Sequence, residues 1–307
     1  MLNQMVQPRR APRLSLKRRE AVSGYLFILP AVLGFVLWFA GPMAYSAWIS
    51  MTEWDMLSPP RGVGLGNYRA MLDDDLFWTS LRVTFYYVAV SVPLIQLLSF
   101  AIALLLNVKV RGLAVFRTIY YLPTIAPVIA SSLLWAWIFN SEFGLLNSVI
   151  TRVGLPKVLW LQDTRWALPT LILLAAWGFG GTMVIYLAGL QGIPQTLYEA
   201  AAIDGARAWH RLIHITVPMM GPVIFFNSLL GVIFALQTFT QGFIITNGGP
   251  QNSTLFYALY LYRQAFTNFR MGYAAALAWV LFAIVLVLSL IVFRTAGRRV
   301  YYEDEGA

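Results

Sequence analysis

The chain is 307 residues long, with 59% hydrophobic residues, 11% charged residues and a formal net charge of +9. Soluble domains carry roughly 45–50% apolar and about 25% charged residues, so this composition excludes a water-soluble globular fold and makes lipid the solvent for much of the surface. Basic residues sit in short runs beside apolar stretches, which excludes a nucleic-acid partner; the lack of cysteine and the presence of only His210 and His214 exclude disulfides, thiolate sites and a histidine metal cluster.

Residues 1–20 form a basic N-terminal segment with Arg9, Arg10, Arg13, Lys17, Arg18 and Arg19. The apolar stretch after it is far longer than the ~7–15 residues of a signal-peptide core, and no small-residue cleavage site closes it, so it reads as an uncleaved first span. Six stretches lack Asp, Glu, Lys and Arg: Ala21–Thr52, Val83–Val108, Thr118–Ser141, Trp166–Tyr198, Leu212–Tyr262 and Met271–Phe293. Each holds the about 20 residues that carry a helix across a ~30 Å hydrocarbon core, where no backbone group can be left unpaired. The fifth is too long for one span, and its Asn247-Gly248-Gly249-Pro250-Gln251-Asn252-Ser253-Thr254 segment is turn chemistry, expected outside the bilayer. The expected fold is an all-α membrane protein with six transmembrane helices over residues 21–294, followed by a tail at 295–307.

Orientation follows from the bias of Lys and Arg toward the cytoplasm. The N-terminal basic group, Lys109, Arg111, Arg117, Arg207, Arg211, Arg294, Arg298 and Arg299 make fourteen on one side, against eight on the other (Arg61, Arg69, Arg82, Arg152, Lys157, Arg165, Arg263 and Arg270). Both termini are therefore expected in the cytoplasm. Tyr25, Trp48, Trp54, Tyr120, Tyr121, Trp160 and Trp166 lie near span ends, as interfacial anchors do. Pro30, Pro93, Pro123, Pro127, Gly178, Gly180, Gly181 and Gly231 permit kinks and close helix approach within spans.

Between the fourth and fifth spans, residues 194–218 form a loop on the basic side. Pro194 precedes a short alanine-rich helix, Gly205 interrupts it, and Pro218 marks the start of the next span. The alanines give a helix with little side-chain bulk, suited to a partner's groove. Glu199 and Asp204 project about 140° apart on such a helix and do not form a carboxylate pair.

This loop resembles the shared motif of permease subunits of binding-protein-dependent ABC importers, E-A-A-x-x-D-G-A followed by I-T-L-P. The match runs through Glu199, Ala200, Ala201, Asp204, Gly205, Ala206, Ile215, Thr216 and Pro218, with Val217 in place of Leu. The resemblance extends along the chain: Tyr25 to Pro30, Val63 to Tyr68 before Phe77-Trp78, Thr246 to Pro250, Tyr262 to Phe266 and Met271 to Ala276 look like the carbohydrate-importer branch, the maltose and glycerol-phosphate permeases in particular. It implies a type I importer permease in the inner membrane of a bacterium or archaeon. It further implies that Glu199, Ala200, Ala201, Asp204, Gly205, Ala206 and Pro218 belong to a coupling helix seated in a cytoplasmic ATPase dimer. A second homologous permease and an extracytoplasmic solute-binding protein complete the implied assembly. Nucleotide-driven closure of the ATPase would then tilt the loop and switch access. The chain lacks a phosphate-cradling P-loop, since Lys17, Lys109 and Lys157 follow Leu16, Val108 and Pro156 rather than glycine. ATP and Mg are thus expected on the partner, and no catalytic residue or cofactor on this chain.

Sugars are held by aromatic faces with hydroxyl and amide groups, which are otherwise costly at mid-bilayer. The candidates for a substrate pathway are Ser132 and Trp135 on the third span, Trp177, Phe179 and Thr182 on the fourth, and Gln237, Thr238 and Gln241 on the fifth; Ser131 and Asn227 share their chemistry. Gln237 and Gln241 would share a helix face. No span carries an ionised side chain, which favours an uncharged substrate over a gradient-coupled one. A polyol or glycerol phosphate is the alternative cargo, and a gradient-driven transporter the alternative class. Asp73-Asp74-Asp75 reads as a solvated loop or helix start.

Overall fold

A computed structural model describes residues 16–108 and 111–297. The expectations for Arg9, Arg10, Arg13, Lys109, Arg298, Arg299 and the tail beyond 297 lie outside the described residues. The helices are α1 Leu16–Phe35, α2 Gly41–Ile49, α3 Gly66–Leu72, α4 Asp75–Leu106, α5 Leu113–Ile125, α6 Val128–Ile138, α7 Leu145–Arg152, α8 Ala167–Trp177, α9 Gly180–Gln191, α10 Gln195–Ile203, α11 Ala208–Arg211, α12 Val217–Met219, α13 Gly221–Leu236, α14 Tyr257–Tyr262 and α15 Met271–Gly297. A two-stranded antiparallel hairpin pairs Thr52 with Gly62 and Glu53 with Arg61.

Three continuous helices are long and apolar enough to cross a membrane: Lys17–Ile49, Asp75–Leu106 and Met271–Arg294. Three bent pairs pass the same test of length and apolarity, α5 with α6 at 96°, α8 with α9 at 46°, and the α11–α12 segment with α13 at 64°; with each pair counted as one span, the described residues hold six. Each bend has a chemical cause. Ala126 is extended (ψ 132°) because it precedes Pro127, and that ends α5. Gly178 and Gly180 flank the second break, and a Cβ on Gly180 would collide with the Tyr120 carbonyl of α5, so glycine permits this close approach. The third break falls at Met220, between Pro218 and the Gly221-Pro222 start of α13.

Charge-free stretches understated two spans. Helix α4 begins at Asp75, eight residues before Val83, and α5 begins at Leu113 rather than Thr118. Arg82 lies within α4 and Arg117 within α5, so the absence of charge does not mark the helix ends. The segment after Asn247 is a turn with Asn247, Gly248, Gln251 and Asn252 in left-handed conformations. It folds back onto the bundle: Leu255, Phe256 and Tyr257 are fully buried, the Tyr257 N–H donates to Thr84 Oγ1 at 2.8 Å, and the Tyr257 O–H donates to the Leu277 carbonyl at 2.9 Å.

Two apolar clusters occupy opposite ends. At the hairpin end, Phe77, Tyr87, Leu171, Phe256, Tyr257, Leu259 and Leu277 pack together. At the end bearing α10, Ala103, Met183, Tyr186, Leu190 and Met220 form the second cluster. Between them lies the gap described next.

Candidate translocation cavity and coupling loop

Helices α4, α9 and α13 diverge around a cavity of about 580 Å³. Its lining combines apolar residues with Ser91, Gln96, Thr182, Asn227, Gln237, Thr238 and Gln241, and among the described residues no Asp, Glu, Lys, Arg or His reaches it. Gly178 and Gly181 from the α8–α9 break and Gly231 of α13 open its walls. The site is a neutral chamber offering amides and hydroxyls.

Of the candidate pathway residues, Thr182, Gln237, Thr238 and Gln241 line this chamber, and Ser132, Trp135, Trp177 and Phe179 do not. Ser132 is buried, with its hydroxyl donating to the Val128 carbonyl at 2.7 Å. Trp135 stacks on Phe139 at 5.1 Å and meets the edge of Trp177 at 5.6 Å. Phe179 packs against Tyr120 at 5.9 Å, while its carbonyl accepts from Ser99 Oγ at 3.0 Å. Trp135, Trp177 and Phe179 pack in contacts between helices, while the Ser132 hydroxyl is spent within its own helix. Ser131 lies away from the chamber as well. Gln237 and Gln241 reach it without sharing a helix face, because α13 ends at Leu236 and Gln237 leaves helical geometry (ψ 12°).

Sequence reasoning passed over Tyr87, Ser91 and Gln96 of α4. Their signal was present: Ser91 and Gln96 interrupt the apolar run of the second span just as Asn227 interrupts the fifth.

The Glu199–Pro218 loop is built around one turn. At the end of α10 the Ala206 N–H donates to the Ala201 carbonyl at 2.8 Å and the Gly205 N–H to the Ala202 carbonyl at 3.1 Å, with Gly205 at φ +74°. This pairing satisfies the last carbonyls of the helix and requires the left-handed residue that glycine supplies. Tyr198 and Thr216 share a hydrogen bond at 3.0 Å, and Tyr198, Ile215 and Met219 pack on the Met183–Tyr186–Met220 cluster. The root of the loop is thus anchored to α9. Its crown faces outward: Glu199, Ala200, Asp204 and Gly205 are exposed, Ala201 and Ala206 are half-buried, and the apolar Ile203 and Trp209 are 88% and 66% exposed.

At the opposite end Asp74 caps α4, its Oδ1 accepting from the Leu76 N–H at 3.0 Å and the Phe77 N–H at 3.3 Å. Its Oδ2 accepts from the Tyr260 hydroxyl, and from the Tyr273 hydroxyl at 2.6 Å. Burial alone would raise the Asp74 pKa; the tyrosine hydroxyls and the two backbone N–H groups outweigh it, and the carboxyl is held below its ordinary value. The acidic run is a helix start, and it ties α4, α14 and α15 together.

Bent membrane-spanning helices around a neutral chamber, with a structured loop presenting apolar side chains at one end, define a multi-pass transport subunit. Residues 95–299 match the family of the binding-protein-dependent transport system inner membrane component, and the chain belongs to that family. It is an ABC transporter permease. It is 42% identical to the probable ABC transporter permease protein YesP of Bacillus subtilis over 94% of both chains. It is 34% identical to the lactose transport system permease protein LacF of Rhizobium radiobacter, covering 94% of this chain and 98% of LacF. The trehalose/maltose permease MalF of Thermococcus litoralis is 36% identical, covering 92% and 96%. The fold matches a chain in the crystal structure of a bacterial alginate ABC transporter in complex with an alginate pentasaccharide-bound periplasmic protein, with a TM-score of 0.79, 22% identity, and coverage of 94% and 98%.

Proposed function

We propose that this permease carries a neutral sugar or oligosaccharide, delivered by an extracytoplasmic solute-binding protein, through the chamber between α4, α9 and α13. The observation that carries the reading is the lining itself, which is rich in amides and hydroxyls and free of ionised groups among the described residues. Such a wall suits a polyhydroxylated ligand and offers no counter-charge for a phosphorylated one. Relatives named for lactose and for trehalose/maltose support the same class. Thr182, Gln237, Thr238 and Gln241 are the contacts assigned to the pathway from this set.

In this reading the energy comes from a separate cytoplasmic ATPase dimer that binds ATP and Mg and receives the α10 turn, with Glu199, Ala200, Ala201, Asp204, Gly205, Ala206 and Pro218 forming the coupling element. Exposed Ile203 and Trp209 are suited to burial in that partner. A second permease completes the pathway; α1, exposed along nearly all of its length, has surface for that neighbour and for lipid. The complex sits in the cytoplasmic membrane with both termini inside. Liposomes holding the two permeases, the ATPase and the binding protein should take up radiolabelled lactose, maltose or trehalose only when ATP is present on the ATPase side. Uptake without ATP, or of a phosphorylated sugar in preference to all neutral ones, defeats the reading.

A further inference from the structure

The chamber contains a donor that no group among the described residues pairs. Asn227 is 4% exposed, its amide nitrogen is buried without a hydrogen-bond partner among the described residues, and the residue lines the cavity. A buried unpaired donor is costly, and each one in a native protein calls for an explanation. One helical turn along α13, on the same face, stands Gly231. A Cβ on Gly231 would lie 3.2 Å from the Gln96 amide nitrogen and 3.2 Å from Val92 Cγ1. The Gln96 nitrogen therefore rests over the bare backbone of Gly231, in the same cavity as Asn227. Its orientation is set from behind: the Tyr186 hydroxyl donates to Gln96 Oε1 at 2.5 Å, which occupies the oxygen and turns the NH₂ group toward α13.

We propose that Gln96 and Asn227 form a donor clamp that holds a hydroxyl or acetal oxygen of the passing ligand, and that they are specificity-determining contacts of the pathway. Two NH₂ groups present only donors, so the complementary ligand surface is one of neutral oxygen acceptors at close spacing, which a saccharide offers along its ring. Gly231 keeps the space before them open. Tyr186 is a positioning residue that acts through Gln96.

The inference rests on the sugar reading, and the test separates the two. The complete complex is reconstituted with one and the same binding protein, and uptake of radiolabelled lactose, maltose and trehalose is compared for wild type, Asn227→Leu, Gln96→Leu and Gly231→Ala. The clamp predicts at least a tenfold loss for the probe that wild type moves best in both leucine variants. It also predicts a change of at least threefold in the ratio between probes, with co-purifying subunits at wild-type stoichiometry. Where a leucine variant does not assemble, Gly231→Ala, which narrows the same gap without removing an amide, should still shift the ratio. A loss shared equally by all probes marks a merely structural role and overturns the clamp. Wild-type rates and ratios in the variants overturn the clamp alone; a wild type that moves none of the probes removes the sugar reading and the clamp with it.

Discussion

Replacing Gly205 isolates one physical quantity. Its φ of +74° is left-handed, and a Cβ built there meets nothing within 4 Å, so a larger residue suffers no collision and only backbone strain. That strain is about 1–2 kcal/mol for a residue with a Cβ, less for Asn, and greater for a β-branched side chain. In the free permease the exposed turn can relax; under the proposed coupling it is seated in an ATPase groove where it cannot, and the strain would fall on the docked state. A loss of about 1–2 kcal/mol weakens docking by a factor of about 5–30. The assay is titration of the purified ATPase against the detergent-solubilised permease pair carrying Gly, Asn, Ala or Val at position 205. Affinity should fall in that order, with membrane abundance unchanged. An Ala variant that titrates like wild type, or a Val variant no weaker than Asn, refutes the reasoning, because only the handedness of the turn distinguishes them.

Further outcomes follow from other contacts. Asp74→Ala removes a helix cap and leaves two tyrosine hydroxyls short of an acceptor; a cap alone is worth about 0.5–2 kcal/mol, so thermal melting of the solubilised permease should drop clearly, with α4 affected first in hydrogen exchange. The Asp74 pKa is lowered in the folded state, so its contribution to stability is complete above the unfolded carboxylate value of about 3.9 and is lost as pH falls through the lower folded value; wild type should lose melting temperature over that acid range more steeply than Asp74→Asn. Ile203→Asp and Trp209→Asp should abolish ATPase docking while insertion stays normal, measured by co-purification, since both side chains are exposed in the isolated chain. Gly180→Val drives a side chain into the Tyr120 carbonyl, and overpacking of this kind costs about 1–3 kcal/mol, to be read as a lower melting temperature.

The sequence displayed its helices more plainly than their shapes. Length, apolarity and helix-breaking residues were enough to count six crossings, and Pro127, Gly178 and Pro218 lie at or beside the three bends. The size of a bend was not legible, because it depends on what the far half packs against: the 96° turn at Pro127 places α6 against the π-helical segment Gly242–Thr246, a neighbour more than a hundred residues distant. The loop at 194–218 was legible because its geometry is local; a left-handed residue after an alanine helix calls for glycine wherever it occurs. The chamber was half legible. Polarity within an apolar span flags Thr182 and Asn227, but it cannot separate a side chain facing a gap from one facing a neighbour, and Ser132 and Trp135 carry the same signal while one bonds within its own helix and the other packs on Trp177. Gln96 shows the reverse failure, a polar residue whose meaning depends on Tyr186, ninety positions away.

The loop and the chamber also share their supports. Tyr198 of α10 bonds to Thr216, and both lie beside the cluster in which Met220 meets Met183 and Tyr186 of α9. From Met220 the chain turns through 64° into α13, which carries Asn227 and ends at Leu236 just before Gln237, while α9 carries Thr182 on the facing wall. Under the proposed coupling, a partner tilting the crown of the loop would move the bases of both chamber walls at once, since close-packed interiors transmit strain. Tyr198→Phe tests this link. It deletes one hydrogen bond, about 0.5–1.5 kcal/mol, without altering the outward face of α10. ATPase docking should be retained while ATP-driven uptake falls severalfold and hydrolysis continues, so that the ratio of sugar moved to ATP consumed declines. If uptake and hydrolysis fall together, the bond serves assembly and the two sites are joined by some other contact.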